Sequence, residues 1–144
     1  MTPRHLADYL EASAARFGDH VAVVNPDGVR ITYAELNRQA DAVAGFLLAR
    51  GIERGDRVGV VLPKTSAALA SLFGVMKAGA VFVPVDATAP AERGRRILAD
   101  CQVRGLVVDG GMLAAIDEES SGAARVATID SSSRRFACER GISR

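Results

Sequence analysis

Between residues 57 and 110 the chain alternates between short apolar runs and longer amphipathic segments. In order, these read RVGVVLP, SAALASLFGVMKAG, AVFVPVD, PAERGRRILADC and GLVVDG. Short apolar runs of this kind predict strands that are covered on both faces, and the segments between them have the period of helices. Strands that alternate with helices form parallel βαβ units, whose crossovers are right-handed in nearly all proteins. The sequence therefore predicts a three-layer α/β fold with a mainly parallel sheet over residues 52 to 109.

An N-terminal helix is predicted ahead of this unit, in TPRHLADYLEASAARFG. Thr2 can cap the helix and Pro3 suits its first turn. Its apolar face contains Leu6, Leu10 and Ala14, and a glycine ends the pattern.

A β-hairpin and a second helix follow the first helix. VAVVNPDGVRITY reads as two β-rich runs around a turn at residues 25–28. Thr32 and Glu35 have the spacing of a capping box, so a helix should begin there and end near Gly51. Its apolar stripe contains Leu36, Val43, Phe46 and Leu47.

We divide the chain into residues 1–110, which hold the helix, the hairpin and the βαβαβ unit, and residues 111–144. In the second part MLAAIDEE predicts a short helix and RVATID a last strand. The remainder, SSSRRFACERGISR, has no periodicity and reads as a poorly structured tail.

Composition excludes several classes of function. The formal net charge is +1, so no broad field steers the chain to nucleic acid or to an anionic membrane. No apolar run reaches the roughly 20 residues that span a bilayer. Acidic residues interrupt the N-terminal apolar pattern, which argues against a secretory signal. We therefore expect a cytoplasmic chain.

The cysteines and histidines give no sign of a metal site or of a disulfide. Cys101 and Cys138 lie far apart and outside any CxxC pattern, and His5 and His20 are isolated. Zinc sites need clustered ligands, and disulfides need an oxidising compartment. We expect reduced cysteines, ordinary histidines and no metal ligand.

The turn after RVGVVLP is where a phosphate site would be expected, because backbone amides at the start of a helix bind anions. The chain has Lys64, Thr65 and Ser66 there, and neither GxGxxG nor GxxxxGK[ST] occurs in its 144 residues. One interpretation is that the amides and the charge of Lys64 hold an anion. The other, which we adopt, is that Thr65 or Ser66 caps the helix and Lys64 is solvated.

The remaining charged clusters are interpreted as solvated surface. Arg93, Arg95 and Arg96 lie on one predicted helix and could contact phosphate or CoA, but the neutral balance of the chain favours a surface face. Asp117 to Glu119 reads as the end of a helix. No GxSxG elbow is present. We assign no catalytic residue, no cofactor-binding residue and no metal ligand.

The stretch VMKAGAVFVPVDATAPAER, residues 75–93, has a structural explanation at each unusual residue. Gly79 ends a helix, and Pro84 marks the end or the edge of a strand because it has no N–H to donate. The carboxylate of Asp86 can accept from amides of the following turn, and Pro90 begins the next helix. We interpret the stretch as a shaped turn without a site.

Three segments of the chain nevertheless resemble motifs of one family. MKAGAVFVPVD is similar to the second core motif of the adenylate-forming superfamily, in which Leu-Lys-Ala-Gly is followed by apolar residues, Pro and Asp. ITYAEL, at residues 31–36, resembles the first motif, Leu-Thr-Tyr-x-Glu-Leu, and LLARGIERGDRVGVVLP fits the stretch between them. The superfamily contains acyl-CoA synthetases, luciferases and peptide-synthetase adenylation domains. The resemblance covers roughly residues 1–110.

The resemblance implies the N-terminal portion of an AMP-dependent ligase and part of that enzyme fold. Such enzymes use ATP and Mg²⁺ to convert a carboxylic acid into an acyl-adenylate, which they pass to CoA or to a carrier-protein thiol. The family's Ser/Thr/Gly-rich phosphate loop, ribose-binding aspartate, hinge arginine and catalytic lysine have no counterpart here. We therefore expect an N-terminal fragment that is inactive alone, is weakly stable and self-associates through exposed apolar surface.

A second hypothesis is a non-catalytic binding module that uses the same scaffold to contact a synthetase or a carrier protein. The acid and the acceptor stay open. Ala87 stands where the Asp-Pro-x-x-Pro continuation of peptide-synthetase domains has its first proline, which favours a parent that resembles an acyl-CoA ligase.

Overall fold

The computed structural model describes residues 4–110 and the backbone of residues 125–129. The elements in this part are α1 (Leu6–Phe17), β1 (Val21–Val24), β2 (Arg30–Thr32), α2 (Tyr33–Ala49), β3 (Arg57–Leu62), α3 (Ser66–Lys77), β4 (Val81–Asp86), α4 (Ala91–Asp100), β5 (Gly105–Asp109) and β6 (Arg125–Ile129). The helix, the hairpin and the strand–helix alternation predicted from the sequence are confirmed. Within residues 4–110, no helix has both the length and the apolar character needed to cross a membrane.

Four strands form one parallel sheet in the order β4-β3-β5-β6, and β1 and β2 form a separate antiparallel pair. β6 confirms the strand predicted from RVATID, and it pairs with β5 along its whole length. The predicted helix at residues 112–119 and the predicted tail after the strand lie outside the described residues. The division of the chain at residue 110 stays a prediction.

β4 differs from the prediction of a strand buried on both faces. Only Val85 of its six residues is buried, whereas five of the six residues of β3 are. The cause is position, because β4 is at the end of the strand order and pairs with β3 alone among the described strands. Pro84 lies inside β4, so the expected edge position is confirmed and the alternative, that Pro84 ends the strand, is wrong.

Helices cover both faces of the sheet. Val58, Val60 and Leu62 of β3 pack with α2 and α3 in one apolar cluster. Val61, which points the opposite way, packs with Leu98 of α4 in a second cluster. Alternate residues of one strand thus serve two helix layers, as the pleat requires. The three-layer architecture predicted from the sequence is confirmed.

α1 begins later than predicted. Its N-cap is His5, and the Asp8 carboxylate accepts from the backbone N–H groups of Arg4 at 2.6 Å and His5 at 3.3 Å. The bond from the Arg4 amide is the main cause that lowers the pKa of Asp8. The two residues expected to start the helix lie outside the described range. Leu6 is 59% exposed, so the buried face is formed by Ala7 and Leu10.

α2 begins and ends where the sequence predicts. The Thr32 hydroxyl accepts from the Glu35 amide at 3.2 Å, and the Glu35 carboxylate accepts from the Thr32 amide at 2.8 Å. Gly51 follows the helix with φ of 74°, a left-handed conformation that glycine adopts at low cost. Leu36, Val43 and Leu47 of the predicted stripe are buried.

α3 is the central helix of the described part, and none of its residues is exposed. It packs closely on α2 at Gly74. A Cβ added to Gly74 would lie 2.5 Å from Val43 Cβ and 2.8 Å from the carbonyl oxygen of Ala40. The absence of a side chain at this one position therefore sets the distance between the two helices.

We expect Gly74→Ala to lower the free energy of unfolding by about 1–3 kcal/mol, because a methyl group in a filled contact forces the helices apart. Gly45→Ala is the matched control, since Gly45 lies mid-helix in α2 with nothing within 4 Å of its added Cβ. The control should be neutral or stabilising by up to about 1 kcal/mol, the helix preference of alanine over glycine. Urea unfolding of both variants checks this. Equal effects of the two substitutions would contradict the close contact.

Candidate functional site

The carboxyl edge of the parallel sheet is the place where open α/β sheets bind ligands. β3, β4 and β5 end there at Leu62, Asp86 and Asp109, and α3 and α4 begin there. We define the carboxyl edge of this protein as residues 63–66 and 86–90. It contains the sequence positions that were considered for an anion site.

The start of α3 is capped from the hairpin. The Ser66 amide donates to Asn25 Oδ1 at 2.8 Å, and Asn25 Nδ2 donates to Ser66 Oγ at 3.0 Å. Thr65 occupies the N-cap position, but its hydroxyl donates to the Pro63 carbonyl at 3.4 Å and does not cap the helix. The expected cap by Thr65 or Ser66 is therefore wrong in detail, because an amide side chain 41 residues away holds the first N–H of the helix.

Lys64 is exposed next to this cap, as expected. Its positive charge acts on the carboxylate of Asp86, at the end of β4. That carboxylate accepts from the Thr88 amide at 2.8 Å and from the Thr88 hydroxyl at 2.7 Å. The Thr88 bonds are the main cause that lowers the pKa of Asp86, and the charges of Lys64 and Arg93 contribute further. The predicted bond from the turn amide to Asp86 is confirmed. The negative charge of Asp86 near Lys64 weakens the attraction of Lys64 for a second anion.

The three arginines of α4 do not all line the same groove. Arg96 pairs with Glu92 at 3.3 Å, and both side chains are about three-quarters exposed. A shallow groove of about 570 Å³ runs along α4 and is lined by Pro90, Glu92, Arg93, Arg96, Ile97 and Asp100. Arg95 does not line it. Two carboxylates and two guanidinium groups line this groove, so its net charge does not select an anion.

The other candidate groups have local structural roles. The His5 imidazole lies 3.1 Å from the Asp8 carboxylate, and His20 makes an edge-to-face contact with the Phe17 ring. Cys101 is a half-buried free thiol. Within the part of the chain that the structure describes, no three histidine, cysteine, aspartate or glutamate residues gather into a metal site. Cys138 and residues 117–119 lie outside that part.

Lys77, the lysine of the MKAG motif, joins three helices, which sequence reasoning missed. Its Nζ donates to Glu11 of α1 at 2.8 Å, and to Asn37 and Asp41 of α2 at 2.9 and 2.6 Å. The side chain is only 7% exposed. Burial alone would lower the pKa of Lys77, but the hydrogen bonds and charges of Asp41 and Glu11 outweigh it and hold the pKa above the ordinary 10.5.

Comparison with known proteins connects this architecture to one family. The family model described as AMP-binding enzyme matches residues 10–140. Among curated proteins, phosphinothricin tripeptide synthetase PhsC of Streptomyces viridochromogenes is 46% identical over 99 residues, which are 67% of this chain and 9% of that protein.

Solved structures give the same result. The nonribosomal peptide synthetase FmoA3 in its α-methyl-L-serine-AMP-bound form superposes with a TM-score of 0.79 at 32% identity, over 88% of this chain and 14% of that one. The N-terminal domain of FACL13 from Mycobacterium tuberculosis superposes with a TM-score of 0.79 at 27% identity, over 93% of this chain and 36% of that one. The chain thus spans a minor part of each of these three proteins. The resemblance inferred from the three segments is confirmed.

We expect Lys77→Met to lower the free energy of unfolding by about 1–3 kcal/mol at neutral pH, since it removes charged hydrogen bonds to two partly exposed carboxylates. Lys64→Met, at the one other lysine of the chain, is the control and should change it by less than about 0.5 kcal/mol. Urea unfolding of both variants measures the difference.

The pH dependence of this difference follows from the raised pKa of Lys77. A raised folded pKa gives stability that is complete below the unfolded value of 10.5 and is lost as the pH rises through the folded value. The advantage of the wild type over Lys77→Met should therefore be constant around neutral pH and shrink only above pH 10.5. An advantage that already falls between pH 6 and 8, where histidines titrate, would show that another group is responsible.

Proposed function

The chain belongs to the AMP-binding enzyme family, and from that premise we propose that its residues form part of the N-terminal scaffold of a ligase that activates a carboxylic acid with ATP. In this reaction the carboxylate attacks the α-phosphorus, pyrophosphate leaves and an acyl-adenylate forms. A thiol then takes the acyl group and AMP is released. The observation that carries the proposal is the family match over residues 10–140, supported by the superposition on the N-terminal domain of FACL13.

We infer that the parent enzyme is of the peptide-synthetase type, so that the acceptor is the thiol of a carrier protein and the acid is an amino acid. The 46% identity to a tripeptide synthetase over 99 residues supports this. The sequence-based expectation of a parent that resembles an acyl-CoA ligase depended on Ala87 alone. One residue in a surface turn is weaker support than identity spread over 99 positions, and we give the identity more weight.

The described residues do not fit the triphosphate or its metal. Adenylation brings two anions together, which requires preorganised donors and cations around the phosphates. At the carboxyl edge the first amide of α3 is bonded to Asn25, and the charge of Lys64 acts on the Asp86 carboxylate. No cluster of three acidic or histidine side chains lies within the described residues. We therefore propose that ATP and Mg²⁺ are bound by other parts of the enzyme, and that these 144 residues alone are inactive.

This region then contributes to the reaction by rigidly supporting the parts of the enzyme that hold the reacting atoms. Alignment of reacting atoms is worth about 7–11 kcal/mol in favourable cases, and it depends on rigid supporting elements. A sheet filled on both faces and a central helix without an exposed residue provide such rigidity. Leu6, Tyr9 and Val24, each about 60% exposed, are apolar surface that we assign to contacts with the rest of the enzyme or, in the chain alone, to self-association. A sedimentation coefficient that rises with concentration would support the latter. We place the enzyme in the cytoplasm, as the charge and sequence pattern suggest.

A chimaera tests this proposal. Residues 10–109 would replace the matching region in an adenylation domain of phosphinothricin tripeptide synthetase, and amino-acid-dependent ATP–pyrophosphate exchange would be measured. We expect the chimaera to retain exchange and the preference of the host for its acid, because the chemistry lies outside the exchanged region. The chain alone should show no exchange with any fatty, aryl or amino acid.

The outcomes of this experiment distinguish a scaffold role from a non-catalytic binding module and from catalysis by the chain itself. A chimaera carrying Gly74→Ala is the control and should lose exchange in proportion to its loss of stability. A folded chimaera without exchange would contradict the scaffold role. Co-purification of a carrier protein with the chain alone would then favour the non-catalytic binding module. Exchange by the repurified chain alone, sensitive to its own substitutions, would contradict the location of the chemistry.

A further inference from the structure

β4 has one strand neighbour among the described strands, and the direction of its backbone groups is fixed by its contact with β3. The Val81 amide donates to the Asp56 carbonyl at 2.8 Å, and Val81 is in register with Arg57. In a strand the N–H and C=O of one residue point to the same side, and successive residues alternate. Val81, Val83 and Val85 therefore bond to β3.

The groups on the other side of β4 belong to Phe82, Pro84 and Asp86. A row of outward N–H and C=O groups is a template on which another chain can add a strand. Here the middle residue of the row is proline, which has no N–H and carries its ring there instead. The Phe82 and Asp86 donors that remain are separated by about 13 Å, four residues of strand, with no donor between them.

Apart from Pro84, the strand has one protective feature, the charged Asp86 at its carboxyl end. Natural edge strands are kept from pairing by charged side chains, proline, bulges or a short length. β4 is six residues long, its pairing with β3 has no shift in register, and residues 81–85 carry no charge. Val81 is 52% exposed and Phe82 and Val83 are half-buried, so the edge is apolar as well as long.

We propose that Pro84 acts as a block on the β4 edge that prevents a second copy of this chain from extending the sheet through the same strand. A second copy is the occupant that the geometry favours, because an antiparallel pairing of β4 with itself would place identical apolar segments against each other. Such a pairing is self-complementary and closes as a dimer. The proline removes a donor from both copies at once.

The first experiment uses the wild-type chain at low concentration and amide hydrogen exchange resolved by residue. The Val83 amide, bonded to β3, should exchange slowly, and the Phe82 amide, directed outward, should exchange at a rate near that of exposed backbone. Equal and strong protection of both amides would overturn the proposal, since the edge would then already be paired. This result does not depend on whether any variant folds.

The second experiment compares Pro84→Val and Pro84→Ala with the wild type by sedimentation. Both restore the donor, and valine also favours strands. We expect a dimer association constant about tenfold higher for Pro84→Val, because each copy regains a donor and one net backbone hydrogen bond is worth a few-fold. Pro84→Ala should give a smaller rise, and the Phe82 amide should become protected in the dimer.

The control adds Val81→Lys, which places a charge beside the edge at an exposed residue whose own amide already donates to Asp56, the residue before β3. In the Pro84→Val background it should return the association constant to that of the wild type, and alone it should have little effect. Folded Pro84 variants that sediment as the wild type does would overturn the proposal. So would stronger association that leaves the Phe82 amide unprotected, because another surface would then be responsible.

Discussion

The close contact of α3 with α2 at Gly74 is the constraint on which the other features of the structure depend. It lets a helix without an exposed residue lie between the sheet and the outer helices. Elements distant in sequence are then fastened to α3 at its two ends. Asn25 bonds the hairpin to Ser66, the first residue of α3. Lys77, the last residue of α3, bonds that helix to α1 and α2.

Both family motifs have a structural explanation in this chain. ITYAEL supplies the Thr32–Glu35 capping box that starts α2. MKAG supplies the buried cation of Lys77 and then Gly79, whose φ of 75° turns the chain into β4. Interactions of this kind fix where elements begin and how they meet. The motifs thus mark the family through contacts within its scaffold.

Features set by local sequence were predictable, and those set by distant contacts were not. The alternation of strands and helices and the capping box depend on neighbouring residues, so pattern reading found them. The cap of α3 by Asn25 joins residues 41 apart, and its sequence neighbours indicated only a turn. The exposure of β4 depends on the strand order, which its apolar composition does not encode, although Pro84 indicated an edge. The contacts of Lys77 were not predicted, because its three partners come from two other helices.

The central claim is that the carboxyl edge of this region is structural and does not bind the nucleotide. Two-dimensional NMR of the ¹⁵N-labelled chain, titrated with magnesium–ATP, tests it most directly. The account predicts no saturable shift at the amides of residues 64–69 and 86–94, since the first amide of α3 is occupied by Asn25 and a ligand needs free donors. Saturable shifts at the Ser66 amide and its neighbours that disappear in Lys64→Ala would contradict it.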